Sequence, residues 1–140
     1  MIASPAQVST LVIRVYYEDT DAGGIVFYAN YLKFMERART EWLRTLGYGQ
    51  NRMAAEAGRI FVVVGLDMSY RKPARLDDLL TVETSVTRLG RASIHFAQRV
   101  LREGELLAAG NIQVGCVDAS SLRPAELPKD LRATLESIQG

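Results

Sequence analysis

The chain is poor in the residues that most enzyme classes need. It has one cysteine, Cys116, and one histidine, His95. One cysteine cannot close an intramolecular disulfide, and without a second thiol a cysteine-based zinc site is not expected. There is no GxSxG and no glycine-rich loop ending in Lys-Ser or Lys-Thr, so neither a hydrolase elbow nor a nucleotide cradle is in view. No apolar run is long enough to span a bilayer, since the longest, Ile60 to Leu66, covers only a fraction of the roughly 20 residues required. Charge of one sign is also missing. Seventeen basic and sixteen acidic residues leave a net charge of +1, which gives no bulk attraction to nucleic acid or membrane. Met1 to Leu11 carries no basic start before an apolar stretch, so it does not read as a secretory signal. With a single thiol, the expected location is the cytoplasm.

What is present is one domain's worth of ordinary globular sequence, 140 residues with 48% hydrophobic content. A single domain over 1–140 is expected, with 1–10 as a loose arm. Leu11 to Tyr17 alternates and is β-branched, which predicts a strand. Asn30 to Leu46 predicts a long helix. Tyr31, Phe34, Met35, Ala38, Trp42 and Leu46 recur at three- and four-residue spacing, and Gly47 stops it. Residues 50–58 predict a short second helix. Ile60 to Tyr70, apolar on both faces at first, predicts a buried central strand. Leu79–Arg88, Arg91–Arg102 and Glu105–Val117 follow as an antiparallel meander turned at Gly90 and Gly104. A short helix carrying Leu131, Leu135 and Ile138 ends the chain. One long helix and a long-stranded antiparallel sheet give an α+β class, with the sheet wrapped around the helix as in a hotdog fold.

The segment between the first strand and the long helix concentrates the chemistry. Asp19 and Asp21 precede Gly23-Gly24 and then a helix start. From spacing alone each aspartate reads equally as a turn or cap residue or as a reactive carboxylate. A carboxylate beside helix N-terminal N–H groups can drive attack on a carbonyl whose oxygen those groups hold. A calcium loop is excluded, because its fifth and twelfth positions would be Gly23 and Asn30. His95 falls on the polar face of its strand with Arg91, Ser93 and Arg99. Cys116 has apolar neighbours at alternate positions and reads as a buried thiol.

The stretch Val15–Leu46 resembles the 4-hydroxybenzoyl-CoA thioesterase-like hotdog family, and most closely its Tol–Pal-associated (YbgC-type) acyl-CoA thioesterase branch. The resemblance rests on Tyr17, Asp19, Asp21, Gly24, Val26, Asn30, Tyr31, Glu36, Arg37 and Arg39-Thr40-Glu41. It continues more weakly through Tyr70-Arg71-Lys72-Pro73-Ala74, Asp77-Asp78 and Arg123-Pro124. It implies hydrolysis of an acyl-CoA to the free acid and coenzyme A, with no cofactor beyond the coenzyme A of the substrate. It makes Asp21 the catalytic nucleophile or general base and the Tyr28 backbone N–H the donor to the thioester oxygen. Gly24, Tyr31, Val63 and Val64 are the expected pocket residues. Of the basic residues Arg71, Lys72, Arg75, Arg88 and Arg91, the last two are expected to hold the coenzyme A phosphates. The Tol–Pal branch commonly carries histidine where this chain has Tyr28, and the hydroxybenzoyl branch carries tyrosine, so the acyl preference stays open. Glu36 and Glu41 are secondary carboxylate candidates. The resemblance also implies a homodimer or homotetramer with sites at the dimer interface. Two rival expectations are a binding partner of acyl carrier protein or of a lipid-synthesis or envelope complex, with weak hydrolysis, and a hydratase or dehydratase using an Asp–His pair.

Overall fold

The computed structural model describes residues 7–139. Its strands are β1 (Ser9–Arg14), β2 (Arg59–Tyr70), β3 (Leu79–Leu89), β4 (Ser93–Arg102) and β5 (Glu105–Asp118). They form one antiparallel sheet in the order β1-β3-β4-β5-β2. The long helix α1 (Asn30–Thr45) packs its apolar stripe against one face of this sheet. Its predicted stripe is the buried one: Tyr31, Phe34, Met35, Ala38 and Trp42 are all at or below 5% exposure, with Leu46 at the edge. Opposite them the sheet presents Leu80, Val82, Val86, Ile94, Phe96 and Val100 in strict alternation, as a half-buried sheet must. This is the α+β hotdog architecture expected from the sequence.

The turns follow local chemistry. Glu103 and Gly104 both have positive φ, at 49° and 80°, which is the two-residue type I′ geometry that joins β4 to β5. The terminal helix Lys129–Gln139 buries Leu131 and Leu135 completely and packs on β3. Residues 50–58 do form a short helix, Gln50–Arg52, which widens into a π turn at Met53–Ala57 before Gly58.

Four expectations need correction. The first strand begins earlier than Leu11 and ends at Arg14, because the Asp19 carboxylate takes the Tyr16 N–H and turns the chain into a 3-10 turn at Tyr17–Asp19. Of the proposed loose arm, residues 1–6 lie outside the described residues, while Ser9 and Thr10 already pair with β3. The β4 strand starts at Ser93, since Gly90 to Ala92 form the turn closed by Gly90 N–H to Ser93 O at 2.9 Å.

The fourth correction concerns function. β2 is an edge strand, not a central one. Val62, Val63 and Val64 are 37%, 49% and 57% exposed. Apolarity on both faces was a sound reading, but in one chain nothing pairs with its outer edge. Such an edge invites another strand.

A charged knot closes the end of the sheet beneath the aspartate loop. Arg102 reaches Asp78 (2.7 Å), Glu105 (3.0 Å) and the Pro73 carbonyl, and Lys72 meets Glu105 at 2.7 Å. Burial pushes the Asp78 carboxyl up, but Arg102 and the Arg75 N–H together hold it below the ordinary range. Lys72 first, and then Arg102, lower Glu105 in the same way. Carboxylates depressed in the folded state add stability above their unfolded value of about 4, and it is lost as pH falls through the folded values. The melting temperature is therefore expected to fall on acidification below about pH 4, and Asp78→Asn to flatten that dependence, as thermal melts across pH will show.

Candidate active site

The loop between β1 and α1 separates the two aspartates that spacing could not distinguish. Asp19 is 2% exposed. Its Oδ2 accepts the Tyr16 N–H at 2.8 Å and its Oδ1 accepts Lys33 Nζ at 2.7 Å. Its backbone carbonyl accepts Asn30 Nδ2 at 2.8 Å and the Phe27 N–H at 3.2 Å. Every acceptor of Asp19 is thus used to hold the loop against the start of α1. It is a structural residue. Asp19→Ala is expected to cost about 1–2 kcal/mol of stability in urea denaturation, since it removes the acceptor of the Tyr16 N–H and the partner of the half-buried Lys33.

Asp21, two residues on, is exposed. Its Oδ1 accepts the Gly23 N–H at 2.9 Å, which fixes the side chain in an Asx turn. The backbone closes around it, with Asp21 N–H to Ile25 O at 2.9 Å and Gly24 N–H to Asp21 O at 3.0 Å. Gly24 has φ +76°, so this tight closure needs glycine there. No cation pairs with the Asp21 carboxylate among the described residues. The charge is held still and left available.

The chain then enters α1 without a cap. Ala29, at the N-cap, offers no side-chain oxygen, and the first turn holds no acidic residue. The Asn30 N–H donates to the Phe27 carbonyl at 2.8 Å, and no side chain or acidic residue neutralises the positive end of the helix there. Among the described residues the Tyr28 N–H has no acceptor. The peptide after it is held by Tyr70, whose hydroxyl donates to the Tyr28 carbonyl at 3.1 Å. The Tyr70 ring stands edge-on to Tyr28 (6.2 Å) and Tyr31 (5.4 Å). A cleft of about 240 Å³ is lined by these three rings with Val26, Arg71, Lys72 and Pro73. Tyr31 is its floor rather than an open wall. It is 3% exposed, its hydroxyl accepts the Ala74 N–H at 2.9 Å, and burial raises its pKa. Tyr70 carried no role in the sequence reading, because the last residue of an alternating strand gives no sign of which loop it will touch.

The remaining expected site residues divide. Val63 lines a second, larger cavity of about 500 Å³ between α1 and the sheet, which Leu32 and Lys33, about one turn beyond Tyr28 along the chain, also border. Val64 does not line it; it sits at the β2 bulge over Gly115. Arg88 and Arg91 lie at the far end of the sheet. The Asp21 loop joins the chain beside Ala74 and Arg75, just before β3, whereas Arg88 stands near the other end of that strand, about 30 Å away along it. Arg91 pairs with Glu126 at 3.0 Å. Within one chain these arginines and Asp21 do not meet. His95 pairs in register with Arg88, so it too is remote from Asp21, and no Asp–His couple forms within the chain. Cys116 is 1% exposed, its thiol raised by burial.

Comparison with known proteins is consistent across sequence and structure. The Thioesterase superfamily profile (4HBT) matches residues 23–109. The acyl-CoA thioesterase YbgC of Haemophilus influenzae is 46% identical over 127 residues, covering 91% of this chain and 93% of that protein. The acyl-CoA thioester hydrolase YbgC of Escherichia coli O6:H1 is 45% identical over 122 residues, covering 86% and 90%. The crystal structure of a probable thioesterase from Bartonella henselae superimposes with a TM-score of 0.84 at 32% identity, over 87% of this chain and 100% of that one. Among the described residues no helix is long and apolar enough to cross a membrane.

Proposed function

The chain belongs to the thioesterase superfamily and is a thioester hydrolase, and from that premise we propose that it hydrolyses acyl-CoA thioesters in the cytoplasm, with Asp21 as the reacting carboxylate. The observation that carries this reading is the contrast within the loop. Asp19 has every acceptor committed, while Asp21 is fixed by one Gly23 N–H and otherwise free, in the loop that leads into α1, whose start has no side-chain cap. The Tyr28 N–H, donating to nothing else, is the proposed donor to the thioester oxygen as negative charge develops there. A thioester has a good leaving group, so a carboxylate and an oxyanion donor suffice without histidine or cofactor. Asp21 either attacks the carbonyl, expelling the thiolate and leaving a mixed anhydride for water to open, or takes a proton from an attacking water.

The site is proposed to be completed by a second copy. The unpaired edge of β2 and its exposed valines offer a surface for antiparallel self-pairing. That arrangement would let Arg88 and Arg91 of one subunit serve the Asp21 of another, which one chain cannot do. The test is steady-state thiol release across short, long and aromatic acyl-CoAs, with an acyl carrier protein thioester alongside. Turnover of at least one acyl-CoA is expected. Turnover of the carrier-protein thioester alone would move the substrate class, and turnover of none would end the proposal.

A further inference from the structure

The core beneath α1 contains a charge that no ion pair explains. Arg39 lies on the buried face of the helix and is 8% exposed. Its Nη1 donates to Gln98 Oε1 at 2.9 Å. Gln98, itself 1% exposed, donates from Nε2 to the Met35 carbonyl at 2.9 Å and meets Thr84 Oγ1 at 2.8 Å. A carbonyl can only accept, so the Gln98 amide has one orientation, with its oxygen toward Arg39. No carboxylate forms a salt bridge with Arg39 among the described residues; Glu36 acts on it only from a distance, and burial opposes its charge. An uncompensated cation in a core is costly, and an apolar trio of similar volume would serve stability at least as well.

The guanidinium has an outlet. Arg39 lines the cavity of about 500 Å³ between α1 and strands β2, β4 and β5. Among the described residues no fully buried side-chain nitrogen or oxygen lacks a hydrogen-bond partner. Only Nη1 of Arg39 is bonded within the protein, so Nε and Nη2 keep some accessible surface, and the cavity that Arg39 lines offers them a place to meet a ligand. These two N–H groups form the fork that matches a carboxylate in bidentate fashion. The surrounding wall is mainly apolar, including Leu43, Phe61, Ile94, Phe96 and Val114. Two other charges border it. Lys33 is already paired with Asp19, and Glu36 is exposed.

We propose that this cavity receives an acyl chain ending in a carboxylate, and that Arg39 selects it. The apolar wall takes the methylenes, and the terminal carboxylate supplies the counter-ion that the core lacks. The inference rests on the thioesterase reading and names its substrate class. It is tested with adipoyl-CoA against hexanoyl-CoA, which share a six-carbon chain and differ in the terminal charge. Wild type is expected to favour adipoyl-CoA in kcat/KM by about tenfold or more, and Arg39→Met to erase that preference while holding hexanoyl-CoA within about threefold. Arg39→Lys should restore part of it. Equal rates in wild type, or a proportional loss on both substrates in Arg39→Met, overturn the proposal; the latter is what a purely structural guanidinium gives. Should Arg39→Met not fold, the wild-type ratio and Arg39→Lys decide. If neither thioester is hydrolysed, the thioesterase reading fails separately, and calorimetric titration of adipate onto wild type and Arg39→Lys still judges the cavity: binding weakened by the substitution upholds it, and no binding to wild type refutes it.

Discussion

Asp21→Asn is expected to lower kcat/KM on the best acyl-CoA by at least about a hundredfold, the scale of losing a positioned acid–base or nucleophilic group. The substitution is chosen for what it keeps. Asparagine retains an oxygen to accept the Gly23 N–H, so the Asx turn, the Gly24 closure and the approach to α1 survive. It removes only the charge and the ability to attack or to take a proton. Melting should match wild type, because Asp21 is exposed and pairs with no cation among the described residues. A loss in kcat with little change in KM is the expected pattern. Activity within about threefold of wild type would remove Asp21 from the chemistry and return attention to Glu36 and Glu41 on α1.

Val64→Asp is expected to yield a folded monomer whose activity has dropped by about a hundredfold or more, because the proposed shared site would lose the residues a second subunit contributes. The argument comes from distance and exposure together. Arg88 and Arg91 stand at the opposite end of β3 from the Asp21 loop. Meanwhile Val62, Val63 and Val64 are exposed on an edge strand with no partner in the chain. In a self-paired edge an aspartate at this position meets its own copy nearby, and like charges across strands repel. Light scattering after size exclusion gives the oligomeric state and thiol release the activity. A wild-type monomer with full activity, or a Val64→Asp protein that stays dimeric and active, would refute a shared site.

The aspartate pair shows how far the loop could be read before folding. Asp19 and Asp21 are the same residue type two positions apart, each beside turn-forming neighbours, and only the structure sets one against Lys33 and Tyr16 and leaves the other in the open. Arg39, Gln98 and Thr84 were similarly illegible as a group. They come from α1, β4 and β3, and Arg39 sits in the sequence among exposed charges. Arg88 and Arg91, expected to hold coenzyme A, lie far from Asp21 within one chain, and that separation is compatible with a site shared between two subunits.

By itself the sequence determined the elements and the faces they bury. The spacing of Tyr31, Phe34, Met35, Ala38 and Trp42 defines α1 and its inner side, and the glycine-marked turns delimit the sheet's meander. Those are local matters, because periodicity follows from the geometry of one helix or one strand. Only the tertiary structure decided that β2 is an edge, that Tyr70 closes on Tyr28, and that Arg39 points into a cavity without a counter-ion. Periodicity says which side of an element is covered and cannot say by what. That depends on contacts between residues 42 positions apart for Tyr70 and Tyr28 and 59 for Arg39 and Gln98, which exist only once the chain has packed.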